Sequence, residues 1–291
     1  MFHVELMSKS KKNKIMKATD HLVSESSFDI YWDNKTQCAW TDVEHLDSLD
    51  FYYESQDYIS HHSPTQSLTQ RLYFWARALM ISYKYALLKK LIPPKSALLD
   101  MGCGTGSFLS FMKKKGYQVF GVEKNTNARR VCDENNIKVY PNEEVFSANR
   151  FDTITLWHVL EHLDAPKQRI TSYNNLLKPK GVLVIAVPNF DSHDRVHYNE
   201  DWAALDVPRH LWHFTPKGII SMVEEVGLKL IKKRPLWLDV FYICYLSEKH
   251  RKNTFPLLRG LIKGCFFSFR SLFSAKHSSL VFVFRKQAPL R

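Results

Sequence analysis

The chain has 291 residues, 45% of them hydrophobic and 24% charged. This is ordinary globular usage, enough apolar surface for one large domain or two small ones, and it excludes disordered, collagenous and coiled-coil architectures. Lys and Arg total 41 against 29 Asp and Glu, a formal net charge of +12, which favours anionic partners without choosing among nucleic acid, anionic lipid and acidic small molecules.

Residues 1–17 are basic and weakly patterned and read as a flexible arm. The stretch 18–62 is rich in aromatics, with short strands expected around 28–32 and 37–41. Over 66–91, Leu68, Leu72, Trp75, Leu79, Tyr83 and Leu87 recur at helical spacing, and Pro93-Pro94 ends the helix. Strands and helices then alternate. Strands are expected at 96–102, 117–124, 137–140, 151–157 and 181–188, and helices at 106–115, 126–135 and from Asp164-Ala165-Pro166 to about 177. An excursion at 189–215 is followed by a helix at 216–227 and a strand at 228–234. A second excursion, 236–275, leads to a last strand at 279–286, expected antiparallel to 228–234 because no crossover helix is obvious there. The alternation predicts an α/β fold with a doubly wound, mainly parallel sheet. The expected organisation is the arm, an N-terminal cap with its leading helix at 18–92, and one domain at 93–291 carrying the two insertions.

The five cysteines form no C-x-x-C pair and their number is odd, which argues against a disulfide framework and a thiolate zinc site. No signal peptide or membrane-spanning run is recognisable, and a cytoplasmic location is the expectation.

Glycine is scarce, 10 in all, yet three fall within five residues: Gly102, Gly104 and Gly106. They follow Asp100 in a D-x-G-x-G-x-G run between a strand and a helix. Glycines there let the backbone turn tightly and approach a ligand, and the next helix offers free N–H groups. Glu123 ends the following strand, where a carboxylate can accept from two ribose hydroxyls. A dinucleotide fingerprint, G-x-G-x-x-G, would need its third glycine at 107, where Ser107 stands. The spacing therefore favours S-adenosylmethionine over a nicotinamide dinucleotide.

The segments DMGCGTGSFL, FGVEKN, FDTITLWHVLEHL, LLKPKGVLVIAVPN and VPRHLWHFT resemble bacterial class I S-adenosylmethionine-dependent methyltransferases, in the broad group that includes ubiquinone-biosynthesis O-methyltransferases. The likeness covers about 96–234. It implies a Rossmann-like seven-stranded sheet of order 3-2-1-4-5-7-6, the last strand antiparallel. It also implies that Asp100, Gly102, Gly104 and Gly106 lie under the cofactor's methionine part, that Glu123 faces the ribose, and that Trp157 and His158 flank the sulfonium. Asn142 would fall near the adenine.

His158-Val-Leu-Glu161-His162 matches the H-x-x-E-H of inverted zinc peptidases, but it follows a strand directly and Pro166 leaves little room for a metal-binding helix. In the resembling ubiquinone-type enzymes this stretch reads Glu-x-x-Glu-His and holds a divalent metal. With His158 in the first position one carboxylate is lost, so no metal site is assigned and Glu161 and His162 are expected to orient the local turn.

The 189–215 excursion leaves the carboxyl end of a strand, where open α/β sheets bind ligands. It is read as a lid with Trp202, Arg209 and Trp212 facing substrate, His210 and His158 as candidate bases, and Asp206 orienting His210. An internal Asp206–Arg209 ion pair with packed tryptophans is the competing reading. Tyr58, His61, His62, Arg77 and Lys84 are weaker candidates for closing over the methionine carboxylate. The 236–275 insertion, apolar then basic, suits an anionic lipid surface, a substrate wall or a dimer contact. The expected function is methyl transfer from S-adenosylmethionine to a small-molecule hydroxyl. A nucleic-acid methyltransferase and a non-catalytic adenosylmethionine-binding protein are the alternatives.

Overall fold

The most apolar run of the chain, Gly181–Pro188, lies in the middle of the larger of two sheets. The computed structural model describes residues 13–44, 49–53 and 68–287. In chain order the elements are strands β1 (Asn13–Thr19), β2 (Ser27–Asp33) and β3 (Cys38–Thr41), then helices α1 (Leu49–Tyr53) and α2 (Leu68–Leu88). Next come β4 (Ala97–Met101), α3 (Ser107–Lys114), β5 (Gln118–Val122), α4 (Thr126–Glu134), β6 (Val139–Tyr140) and β7 (Phe151–Trp157). Then follow α5 (Pro166–Leu176), β8 (Leu177–Pro188), α6 (His193–Tyr198), β9 (Trp212–Phe214), α7 (Pro216–Glu224) and β10 (Leu228–Pro235). The chain closes with α8 (Asp239–His250), α9 (Pro256–Ser274) and β11 (Ser279–Lys286).

The large sheet has the order β10-β11-β8-β7-β4-β5-β6. Numbered within the sheet, this is 3-2-1-4-5-7-6, and β11 is antiparallel to both neighbours, as the sequence predicts. Side chains alternate between two cores. Leu99, Met101, Ile154, Leu156, Ile185 and Phe282 enter one layer, and Leu98, Val182, Val184, Ala186, Val281 and Val283 enter the other. Such two-sided burial suits β-branched residues in central strands. The two buried threonines of β7 are satisfied. Thr153 donates to the Val182 carbonyl at 3.0 Å, and Thr155 donates to Asp100 Oδ1 at 2.5 Å.

A second sheet, β1-β2-β3-β9, is antiparallel throughout. Residues 13–17, expected in the flexible arm, are its first strand, because Asn13–Thr19 pair along β2. The tail of the 189–215 excursion supplies its last, with Trp40 opposite Trp212. Gly218 in α7 allows this sheet to dock: a Cβ there would lie 2.4 Å from Cys38 Sγ and 2.7 Å from the Thr36 carbonyl. The 236–275 insertion is a helical hairpin, α8 and α9. Tyr58, His61 and His62 lie outside the described residues.

Candidate active site

The turn after β4 holds Gly102, Gly104 and Gly106 at φ of +62°, +54° and +71°. A Cβ at Gly102 would meet Val159 Cγ2 at 2.6 Å and one at Gly106 would meet Cys132 Sγ at 2.9 Å, so these two are closed in by protein. Gly104 differs, since among the described residues no atom lies within 4 Å of a Cβ built there. Its free face opens on a cleft of about 230 Å³ walled by α2, the glycine turn, the start of α3 and Trp157 at the end of β7.

Four polar groups give the cleft its character. Arg77 donates to Ser107 Oγ at 2.5 Å. The half-buried Lys84 places its ammonium 4.5 Å from the Trp157 ring centre. Desolvation holds Lys84 below the usual lysine range, while Asp100 and Asp239 pull the other way. Burial pushes Asp100 up to about 7, against the Thr155 hydrogen bond and the Lys84 charge. The Trp157 indole N–H is buried with no hydrogen-bond partner among the described residues. A free backbone face, an unpartnered buried donor, two cations and one carboxylate fit the methionine end of S-adenosylmethionine, whose carboxylate and ammonium need opposite partners.

Glu123 closes the turn from behind. Its Oε2 accepts from the Gly104 N–H and its Oε1 from the Asn125 N–H, each at 2.9 Å. Each oxygen keeps a lone pair for a further donor such as a ribose hydroxyl, and the carboxylate is first a brace for the glycine turn. The Asn142 side chain accepts from the Glu144 N–H at 3.2 Å and caps a short 3-10 turn. It does not line the cleft.

A network leads away from the cleft along the motif after β7. His158, at φ +57°, has Nε2 2.9 Å from Asp239 Oδ2 and Nδ1 3.2 Å from Glu161 Oε1. Burial alone would lower its pKa. The two carboxylates outweigh burial and raise it to about 10. Both ring nitrogens of His158 thus face carboxylates that favour its protonated form, where the sequence suggested a candidate base. Beyond it, Glu161, His162 and His210 each bring one ligand atom within 4.8 Å of the others. Glu161 Oε2 is buried without a hydrogen-bond partner among the described residues. His162 Nδ1 and His210 Nδ1 face the carbonyls of Arg209 at 3.0 Å and Ala204 at 2.9 Å. Carbonyls only accept, so these nitrogens carry protons. Burial, then the neighbouring His210, pushes His162 down to about 4 and leaves it neutral at pH 7. The sequence reading assigned no metal; the structure assembles two imidazoles and a carboxylate that fit one.

Two expected lid residues, Arg209 and Trp202, are buried, as in the competing reading of an internal ion pair with packed tryptophans. Arg209 is 2% exposed and forks onto Asp206, with Nε at 3.1 and 3.2 Å and Nη2 at 2.5 Å, while Nη2 also reaches Asp20 at 3.5 Å. Asp206 is therefore spent on Arg209, and its nearest approach to His210 Nε2, 3.8 Å, is an ionic distance and no hydrogen bond. Trp202 is buried and donates to Asp194 Oδ2 at 2.7 Å, so it packs inward instead of facing substrate. Trp212 is half-buried in β9, donating to the Asp164 carbonyl at 3.3 Å. Sequence reasoning missed Asp239, which gave no signal beyond opening a predicted insertion. It also missed the tie from Tyr53 to His162 Nδ1 at 3.1 Å.

The model of a family described as "Methyltransferase domain" matches residues 70–233. A ubiquinone biosynthesis O-methyltransferase of Actinobacillus pleuropneumoniae is 33% identical over 106 residues, 32% of this chain and 45% of that protein. The chain thus spans less than half the length of that curated relative. The corresponding enzyme of Rickettsia akari is 23% identical over 196 residues, 57% of this chain and 78% of that protein. Among solved structures, the Burkholderia thailandensis 1,6-didemethyltoxoflavin-N1-methyltransferase, with 1,6-didemethyltoxoflavin and S-adenosylhomocysteine bound, superposes with a TM-score of 0.52 at 16% identity, covering 86% of this chain and 96% of that one. An S-adenosylmethionine-dependent methyltransferase of Methanosarcina mazei gives 0.50 at 16% identity, covering 69% and 97%. At these identities the two structures speak to the fold.

Proposed function

Because this chain belongs to the methyltransferase-domain family, we propose that it transfers a methyl group from S-adenosylmethionine to a small-molecule hydroxyl. The observation that carries the reading is the open face of Gly104 over a cleft lined by Arg77, Lys84, Asp100 and Trp157. When bound there, the cofactor supplies a methyl group on a cationic sulfur that leaves as a neutral thioether. Arg77 and Lys84 attract the methionine carboxylate, Asp100 its ammonium, and the Trp157 N–H finds an acceptor. The residues' main contribution is positioning, which is worth several kcal/mol when acceptor and methyl are held in line. His210 accepts the hydroxyl proton at Nε2, and His158, fixed as a cation between Glu161 and Asp239, positions Glu161.

The unpartnered Glu161 Oε2 favours a second use of the same cluster. Glu161, His162 and His210 would hold a divalent cation, which lowers the pKa of an acceptor oxygen. Two imidazoles and one carboxylate suit a transition-metal ion better than Mg²⁺. In that case His210 is a ligand and not the base.

Calorimetric titration with S-adenosylmethionine and S-adenosylhomocysteine tests the cofactor site. Gly104→Val fills the open face at a left-handed φ and is expected to weaken both ligands at least a hundredfold. Gly104→Ala, which adds one methyl into open space, is expected to keep the fold and weaken them less. Undiminished binding by both variants overturns the placement.

A further inference from the structure

Helix α9 is built inside out. Its inner face toward α8 carries Gly260, Gly264, Phe267 and Ser271, all buried. A Cβ at Gly260 would lie 2.6 Å from Tyr245 Cα, and one at Gly264 would lie 2.5 Å from Phe241 Cδ1. The glycines thus bring the two helices into close contact, as small residues do where helices associate in lipid. The outer face carries the large side chains instead. Leu258, Ile262, Phe266, Phe269, Leu272 and Phe273 are 53–80% exposed. At 3.6 residues per turn they fill an arc of about 120°, opposite the glycine face. A contiguous apolar stripe of this kind marks an interaction surface in a water-soluble fold.

The charges beside the stripe say what it meets. Arg259, Lys263 and Arg270 form one flank, and α9 contains no acidic residue. Arg259 is paired with Glu248 at 3.2 Å, whereas Lys263 and Arg270 make no ion pair among the described residues. Over residues 236–276, seven Lys or Arg face two acidic residues. Apolar side chains beside a cationic edge match acyl chains beside anionic headgroups. Among the described residues no helix is long and apolar enough to cross a membrane, so the contact is in the interfacial plane. We infer that the protein docks on anionic bilayers through the outer face of α9, with Leu258, Ile262, Phe266, Phe269 and Phe273 in the acyl boundary and Lys263 and Arg270 at the headgroups.

Flotation of the full chain with phosphatidylcholine vesicles, alone or containing roughly 30% phosphatidylglycerol, tests this at about 0.1 M and about 0.5 M salt. Binding is expected on the anionic vesicles, at least tenfold weaker on neutral vesicles and in high salt. Phe269→Asp with Phe273→Asp is expected to lose at least a hundredfold. Lys263→Glu with Arg270→Glu is expected to lose at least tenfold on anionic vesicles only. All four substitutions are on exposed positions, and circular-dichroism melts matching the parent exclude unfolding. Failure of the parent chain to float overturns the inference. So does a dimer in lipid-free sedimentation that Phe269→Asp with Phe273→Asp dissociates, because the stripe is then covered by a second copy of the chain.

Discussion

Replacing Arg209 by methionine separates a structural excursion from a substrate-facing one. The guanidinium is 2% exposed, and its partners differ in how well they survive its loss. Asp20 also accepts from the backbone N–H groups of Leu22, Val23 and Ser24 and from the Ser24 hydroxyl, at 2.7–3.1 Å, so it stays solvated by the chain. Asp206 keeps a quarter of its side chain in water. Breaking one side of a fully buried ion pair costs ~3–5 kcal/mol. With both carboxylates partly compensated, the lower end, about 3 kcal/mol, is expected. At ~2.1 cal/mol/K of unfolding entropy per residue that lowers Tm by about 5 °C for a chain of this length. Burial works against the charged form of Asp206, and the facing His210 and Arg209 more than offset it, so its pKa lies below the ordinary Asp range. The pair's stabilisation is therefore present at neutral pH and is lost as pH falls through the depressed pKa. Urea unfolding of Arg209→Met, Asp206→Asn and the double variant reads this out, with the double variant expected to be less unstable than the sum of the singles. If Arg209→Met unfolds within about 0.5 kcal/mol of the parent while turnover collapses, the residue belongs to the substrate surface and the structural reasoning fails.

Two further outcomes are expected. His158 should stay protonated across neutral pH, because its pKa is raised to about 10; its contribution to stability is complete below the unfolded value near 6.5 and lost as pH rises through the folded one. Nitrogen-15 NMR should show an imidazolium that does not titrate between about pH 5.5 and 8.5 in the parent and does so in Asp239→Asn; titration near 6.5 in the parent would refute the clamp. Titrating chelator-treated protein with Zn²⁺ and Mn²⁺ should show one site per chain that Glu161→Gln weakens at least tenfold, and a parent that binds neither ion removes the metal reading.

The large sheet was legible because its strands carry their own signals. Runs such as Phe151–Trp157 and Gly181–Pro188 are apolar, β-branched and bounded by turn residues, so local pattern locates the strands, while their order came from the family resemblance. The glycine turn was legible for the same reason. In the second sheet the strands at 28–32 and 37–41 were legible as β2 and β3, but its closure was not, because β9 joins β3 across about 170 residues and no local pattern encodes an antiparallel partner so distant. Arg209 and Trp202 were misplaced because polar and aromatic residues in a strand-end loop read as a surface, while Asp20, Asp194 and Asp206 supply the buried partners that let them turn inward. His210 joins Glu161 and His162 through ties of the 204–211 stretch, including Leu211 N–H to the Glu161 carbonyl at 2.8 Å and His162 Nδ1 to the Arg209 carbonyl at 3.0 Å. The 236–275 insertion was legible only as apolar then basic; which face of α9 turns outward depends on Gly260 and Gly264 packing on Tyr245 and Phe241.

Asp239, the first residue of α8, grips His158 from the same hairpin that carries the oily stripe. The contact is 2.9 Å at His158 Nε2, so the imidazole of the motif after β7 and the exposed stripe of α9 are tied to one piece of chain.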